Sequence, residues 1–235
     1  MLPKIQQYIT DVYHLGFPNN CLLCRKSLTK AEKDLCFYCI ESLPHTNQLT
    51  EAENPVAQRF WGRLPLENAA AFLYVNKTNQ VHSLMHLLKY KNKRRIGVKL
   101  GRLMGFELKK ANSIFQNIDL MVPLPLHWKK EKQRGYNQCD FIAEGLAAVT
   151  EIPWNSKVVT REKENISQTK KSKYERWENV AGIFSVKNPT AMEGKSILLI
   201  DDVVTTGSTL EACAHAILQV PHVKLSVLAV ATAGR

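Results

Sequence analysis

ILLIDDVVTTGSTL, residues 197–210, joins an apolar run to two adjacent acids and a loop of hydroxyl side chains. The apolar run, SILLI from residue 196, predicts a central parallel strand that is buried on both faces. The segment after the loop, LEACAHAILQ, is expected to be a helix. Ligands of open α/β sheets bind outside the carboxyl ends of the strands, so the acids and the loop are expected at that edge.

Predicted strands and helices alternate along most of the chain, as in repeated βα units. This pattern predicts an α/β fold with an open, mostly parallel sheet and helices on both faces. Strands are expected at AAAFLYV (69–75), DLMVPLP (119–125), KVVTR (157–161), GIFSV (182–186), SILLI (196–200) and VKLSVLAVAT (223–232). Helices are expected at 81–91, 96–110, 141–150 and 210–219.

A small separate module is predicted before this domain. Cys21, Cys24, Cys36 and Cys39 form two C-x2-C pairs separated by eleven residues, a spacing typical of a closed tetrahedral zinc site. Paired disulfides and a redox C-x-x-C pair are the alternatives, and the absence of an export signal speaks against the first. We assign residues 1–54 to an N-terminal helix, this zinc-ribbon module and a linker, and residues 55–235 to the α/β domain.

Composition and charge restrict the class of protein. The 235 residues are 45% hydrophobic and 23% charged, and no apolar run is long enough for a membrane span, so a cytoplasmic protein is expected. The net charge of +11 arises from residues 61–235, because residues 1–60 carry equal numbers of basic and acidic side chains. Such a surface favours anionic partners, although it also suits a simply solvated surface.

The loop after the acids has the composition of a phosphate site. Gly207 permits a positive φ and a close backbone approach, and the helix N-terminus supplies N–H donors for a dianion. Short donors come from four hydroxyl side chains, Thr205, Thr206, Ser208 and Thr209. The loop lacks the lysine of a nucleotide-triphosphate P-loop, which indicates a single terminal phosphate. Asp201 and Asp202 can accept hydrogen bonds from sugar hydroxyls, so a ribose 5-phosphate unit satisfies both halves of the stretch.

The same residues resemble a known motif. ILLIDDVVTTGST resembles the 13-residue phosphoribosyl pyrophosphate (PRPP) motif of type I phosphoribosyltransferases. Over nearly the whole chain, the sequence is similar to the ComF/GntX family of PRPP-motif proteins with an N-terminal zinc ribbon. The matching pieces are FPNNCLLC and LCFYC, LLKYKNKR, VPLP followed by RGYNQ, and a Gln168, Arg176, Asn179 pattern before GIF.

The resemblance implies a type I phosphoribosyltransferase fold and transfer of ribose 5-phosphate from PRPP to a nitrogen acceptor, with Mg²⁺ on the pyrophosphate. It implies catalytic roles for Asp201 and Asp202, which orient the ribose, and for Arg176. Residues 161–179 would form a mobile hood loop over PRPP, with ordinary exposed helix as the alternative. The candidates for binding pyrophosphate are Lys89, Arg134, Gly135, Arg161 and Gln168.

Two functions follow from these observations. The first is a phosphoribosyltransferase whose acceptor the sequence does not identify, linked to DNA uptake (competence) or to nucleotide metabolism. The second is a non-catalytic, PRPP-regulated protein that binds single-stranded DNA or serves the DNA-uptake machinery. The basic segments Lys89–Lys99 and Lys129–Arg134 favour the second function, and Trp128 could stack on bases or pack against the sheet.

Overall fold

The computed structural model describes residues 19–78, 80–110, 112–163 and 182–233. The chain divides between Pro44 and His45 into two compact units, called here the cysteine unit (19–44) and the α/β unit (45–233). The helix expected over residues 1–17 lies outside the described residues, and the division at 54/55 stays a prediction. Within the described ranges, no helix combines the length and the apolar character needed to cross a membrane.

The cysteine unit is built from tight turns and one short helix. Isolated bridges pair Asn20 with Ser27 and Lys33 with Leu35. Helix α1 (Phe37–Glu41) begins after Cys36, whose sulfur accepts a hydrogen bond from the Cys39 N–H. The turns thereby bring both C-x2-C pairs together.

The α/β unit confirms the predicted fold class. Within the described residues, four strands form a parallel sheet in the order β1-β6-β5-β2. The strands are β1 (Asn68–Val75), β2 (Leu120–Pro123), β3 (Val159–Arg161), β4 (Phe184–Val186), β5 (Ser196–Val204) and β6 (Lys224–Ala233). The helices are α2 (Gln80–Tyr90), α3 (Arg94–Leu108), α4 (Trp128–Arg134), α5 (Gln138–Thr150) and α6 (Ser208–Ile217).

Apolar side chains cover both faces of the sheet because successive residues of a strand point to opposite faces. On one face, Ile197 and Leu199 of β5 pack in a core with Leu210 and Ile217 of α6. Helices α2, α3 and α5 contact the sheet as well. Helices α3 and α5 cross where Gly101 and Gly145 face each other's helix, since a Cβ on Gly101 would lie 2.1 Å from the Ile142 carbonyl oxygen. Glycine therefore sets this close crossing.

Three features differ from the expectations. Strands β3 and β4 pair antiparallel in a ribbon of their own, outside the parallel sheet. The basic segment after VPLP forms α4, which the sequence did not predict because its charged side chains have no apolar periodicity. Residues 45–54, expected as a linker, pack on β1: the Thr46 hydroxyl donates to the Ala71 carbonyl, and the Asn54 amide donates to the Ala69 carbonyl.

Candidate functional site

The site lies at the carboxyl end of β5. The strand continues through Asp201 and Asp202 to Val204, and the chain turns through Gly207 into α6. Gly207 has φ +80°, in the left-handed region that favours glycine. Asp201, Val203 and residues 204–210 line an open hollow there. The Thr206 and Ser208 hydroxyls lie 3.0 Å apart in an exposed part of the loop. The predicted phosphate-loop residues are thus brought together around one hollow.

Asp202 is held by two side chains from helices that pack against the sheet. It is only 4% exposed. Lys89 Nζ of α2 lies 2.9 Å from its Oδ1, and Gln138 Nε2 of α5 donates to its Oδ2 at 2.6 Å. Burial disfavours the Lys89 ammonium, but the attraction of Asp202 outweighs this effect and raises the pKa of Lys89. The carboxylate therefore has a fixed orientation and a cationic partner.

Asp201 has a different environment from its neighbour. It is half-buried and lines the hollow. Its Oδ1 accepts the Asp202 N–H at 2.7 Å and lies 3.9 Å from the Cys139 sulfur. Burial, together with the negative charge of Asp202, raises the pKa of Asp201 to about 7. Because Asp201 lines the hollow and Asp202 does not, Asp201 is the acid that faces the loop.

Three of the five candidates for binding pyrophosphate lie at the ends of α2 and α4. Lys89 is ion-paired with Asp202, as described above. Arg134 Nη1 donates to Gln138 Oε1, and its guanidinium lies 5.4 Å from the centre of the Tyr90 ring. Gly135 ends α4 with φ +81°, and its N–H donates to the Glu131 carbonyl. A polar connection thus runs from Arg134 through Gln138 to Asp202.

The structure describes only part of the predicted hood loop, residues 161–179. Arg161 lies in β3, where its guanidinium stacks 5.4 Å from the Phe184 ring and its Nε donates to the Lys163 carbonyl. These contacts place it in the β3–β4 ribbon. Gln168 and Arg176 lie outside the described residues, as does most of the 161–179 segment.

Sequence reasoning missed several residues of the site. Gln138 is the last residue of the RGYNQ segment, so its place in that motif was an available signal. Cys139, the next residue, is buried beside Asp201. Arg59 donates to the carbonyls of Val204 and Thr205, and the Phe60 ring contacts Gly207. Nothing in the sequence connects positions nearly 150 residues apart, so these contacts had no detectable signal.

The four cysteines of the cysteine unit form a separate cluster. Their sulfur atoms all lie within 4.8 Å of one another, and those of Cys24 and Cys36 are 3.7 Å apart. Sulfurs 2.3 Å from a tetrahedral zinc ion are separated by about 3.8 Å, so this cluster fits the metal. Burial opposes ionisation of Cys21, but main-chain N–H groups, led by that of Cys24, lower its pKa to about 6. A thiolate is the form that binds a metal.

The chain is similar over most of its length to proteins named for DNA utilization and competence, although no family model matches it. It is 28% identical over 207 residues to the DNA utilization protein YhgH of Escherichia coli (strain K12), covering 87% of this chain and 86% of that protein. It is 28% identical over 202 residues to competence protein F of Haemophilus influenzae, covering 83% and 88%. Competence protein ComFC of Bacillus subtilis is 39% identical over 100 residues, covering 43% and 38%. The predicted resemblance to the ComF/GntX family is thus confirmed.

Solved structures similar to this chain include phosphoribosyltransferases. The glutamine PRPP amidotransferase from B. subtilis has a TM-score of 0.42 and 16% identity, covering 61% of this chain and 30% of that chain. An adenine phosphoribosyltransferase has a TM-score of 0.39 and 15% identity, covering 63% and 74%.

Proposed function

We propose that this protein binds PRPP and transfers its ribose 5-phosphate to a nitrogen acceptor with release of pyrophosphate. The 5′-phosphate lies in the loop of Thr205, Thr206, Gly207, Ser208 and Thr209, and the ribose hydroxyls lie against Asp201 and Asp202. The observation that carries the proposal is the hollow lined together by Asp201 and residues 203–210. Within one strand–turn–helix segment, this hollow brings together N–H and hydroxyl donors for a dianion and a carboxylate for the sugar.

The residues suit the charge changes of this reaction. A bond forms between the acceptor nitrogen and C1 of the ribose, and the bond from C1 to oxygen breaks. The electron pair of the broken bond leaves with pyrophosphate, and the proton of the nitrogen passes to solvent. Positive charge develops on the ribose ring, and ionised Asp201 beside the hollow stabilises it electrostatically. Asp202, held by Lys89 and Gln138, keeps Asp201 in position for the ribose because its N–H donates to Asp201 Oδ1.

Pyrophosphate requires cations at the other end of the donor. Mg²⁺, when bound with PRPP, neutralises part of that charge. We assign Arg134 and Gly135 at the end of α4 to pyrophosphate, and Lys89 adds positive charge beside Asp202. Arg161, Gln168 and Arg176 remain predicted contributors from the 161–179 segment. The proposed location is the cytoplasm.

Calorimetry with PRPP and Mg²⁺ tests the binding step. Thr206→Ala removes a hydroxyl from the loop and is expected to weaken binding about tenfold. Thr78→Ala, which changes an exposed threonine outside the site, is the matched control and is expected to bind like the wild type. A wild-type protein that gives no heat with PRPP contradicts the proposal.

Pyrophosphate release across a panel of nitrogen acceptors tests the transfer step. Asp202→Asn is expected to abolish release. Asp119→Asn, at the opposite end of the sheet where Asp119 accepts the Ser196 N–H, is expected to retain it. PRPP binding without release across the whole panel contradicts catalysis.

We further propose that Cys21, Cys24, Cys36 and Cys39 bind a structural zinc ion. The cysteine unit has few buried apolar side chains, so the metal supplies much of its folding energy. A metal assay is expected to find one zinc per chain. Cys36→Ser should lose the zinc, while Cys213→Ala, which alters a buried cysteine of α6, should keep it. A purified wild-type protein without zinc contradicts the assignment.

The surface around α4 favours a second candidate, a PRPP-regulated protein that binds single-stranded DNA without catalysis. None of the seven α4 side chains is buried, and four of them are basic. Trp128 and Tyr90 are 58% and 64% exposed, and Lys129 and Arg134 lie over their respective rings. Exposed aromatic rings beside cations suit stacked bases and phosphates of a single strand. The two candidates differ in the second molecule that the protein binds: a nitrogen acceptor in the first and single-stranded DNA in the second.

A salt titration of binding to a fluorescent single-stranded oligonucleotide tests this second candidate. Replacing Lys129, Lys130 and Lys132 by glutamine is expected to reduce the slope of log affinity against log salt by about 2. The control replaces Lys109, Lys110 and Lys224, which have the same summed charge and are also exposed. Equal slopes for the two triple variants contradict a nucleic-acid surface on α4.

A further inference from the structure

A segment far from the loop in sequence packs directly beneath it. Residues 54–64, called here the strap, run between the 45–54 segment and β1. Asn54 is fully buried, donates to the Ala69 carbonyl, and accepts the N–H groups of Val56 and Ala57. Phe60 and Leu64 join the core that includes α6 and β5. The strap is therefore fixed to the sheet at its start and along its length.

Arg59 of the strap contacts the main chain where β5 becomes the phosphate loop. Its Nη1 donates to the Val204 carbonyl at 3.1 Å and to the Thr205 carbonyl. In a trans peptide the C=O and the following N–H point in opposite directions. Carbonyls turned toward Arg59 therefore direct the N–H groups of Thr205 and Thr206 away from it. These are donors that a phosphate in the loop requires.

Phe60 and Arg63 support the next part of the turn. A Cβ on Gly207 would lie 2.8 and 2.9 Å from two carbons of the Phe60 ring, so the ring sits directly against the glycine. Arg63 forms an ion pair with Glu211 in the first turn of α6. Glu211 would otherwise repel a phosphate at this helix N-terminus, and Arg63 offsets part of that charge.

We propose that Arg59 is a positioning residue that holds the loop in its anion-binding shape before the ligand arrives. The inference rests on the proposed function of the loop, and it assigns a cationic partner to a phosphate site that has no lysine of its own. Arg59 acts through the main chain: it turns two carbonyls away from the anion and places its positive charge against them. The loop is then organised without the ligand, which lowers the cost of binding.

Binding of ribose 5-phosphate and of inorganic phosphate, followed by calorimetry and ³¹P NMR, tests this role. Arg59→Met keeps much of the stem and removes the donors. It is expected to weaken binding of both ligands by the same factor, about ten- to a hundredfold, because charge-assisted hydrogen bonds are lost. Binding of pyrophosphate with Mg²⁺ is expected to be unchanged. Arg59→Lys, which keeps the charge, should be intermediate.

Chemical rescue separates positioning from general stability. Guanidinium at low millimolar, non-denaturing concentration is expected to restore phosphate binding to Arg59→Met, which a merely structural loss would not allow. Gln58→Met, at the neighbouring exposed position, serves as the control and should bind like the wild type. If the wild type binds ribose 5-phosphate and Arg59→Met binds it equally well, this inference alone fails. If the wild type binds neither phosphate ligand, the proposed function fails and this inference fails with it.

Discussion

The phosphate loop (205–209) and helix α4 both follow parallel strands at the same edge of the sheet, yet they are held in opposite ways. The loop is fixed from below by Arg59 and by the Phe60 ring against Gly207. Helix α4 has no buried side chain, and its ends carry the defining contacts: His127 caps its start and Gly135 ends it. One segment is shaped by the core, and the other depends on charge and on its caps.

This difference suggests that the loop and α4 bind different parts of the ligand within the proposed site. In the proposed function, a preformed loop would bind the phosphate, the part of the donor that the reaction does not change, at little ordering cost. An exposed basic helix suits the more anionic pyrophosphate or a nucleic-acid strand, whose attraction acts over a longer range. The polar connection from Arg134 through Gln138 to Asp202 joins the two regions.

Gly207→Ala tests how the core supports the phosphate loop, and we expect it to have the largest effect. The substitution adds a Cβ in the left-handed region and places it against the Phe60 ring, so we expect a loss of about 3 kcal/mol in the free energy of unfolding. Gly194→Ala is the matched control because Gly194 also has a positive φ, +69°, but a Cβ added there would have no atom within 4 Å. It should lose about 1 kcal/mol. Denaturant unfolding that gives equal losses would show that Phe60 does not support the loop.

Lys89→Met tests the connection between the two regions. Removing the ammonium leaves the Asp202 carboxylate buried without its cationic partner. We therefore expect the free energy of unfolding to fall by about 2 kcal/mol, which is less than for a fully buried pair because Lys89 is partly exposed. Adding Asp202→Asn to the variant should recover most of it. The control is Lys91→Met at an exposed position, which is expected to change stability by less than about 0.5 kcal/mol. A loss at Lys89 no larger than this would show that the ion pair carries no stability.

Asp201→Asn tests the electrostatic asymmetry of the two acids. Because the pKa of Asp201 is raised to about 7, the folded protein binds more protons than the unfolded chain between about pH 4 and 7. The wild type therefore loses stability as pH rises through this window, and the variant should lose less. Melting temperatures measured from pH 4 to 8 should diverge, with the variant higher at pH 8. Glu193→Gln, at an exposed acid, should instead track the wild type.

The sequence predicted what depends on local patterns and missed what depends on distant contacts. SILLI and the alternating elements predicted the parallel sheet because burial on both faces leaves a continuous apolar run. DDVVTTGST predicted which residues gather at the edge. It did not predict that Asp201 and Asp202 differ, because their partners Lys89, Gln138 and Cys139 come from other helices. Arg59 had no signal, since its partners are main-chain carbonyls that any residue carries.

Trp128→Ala tests the exposed side of the comparison, where we expect the smallest effect on stability. Trp128 is 58% exposed on a helix with no buried side chain, so the free energy of unfolding should change by less than about 0.5 kcal/mol. Phe106→Ala on α3, 61% exposed, should behave alike in stability. Under the second candidate function, the two variants should differ only in binding single-stranded DNA, because base stacking on Trp128 would contribute about 1–3 kcal/mol per base and Phe106 lies outside α4. A large loss of stability in Trp128→Ala would place α4 with the core-supported loop and remove the contrast between the two regions.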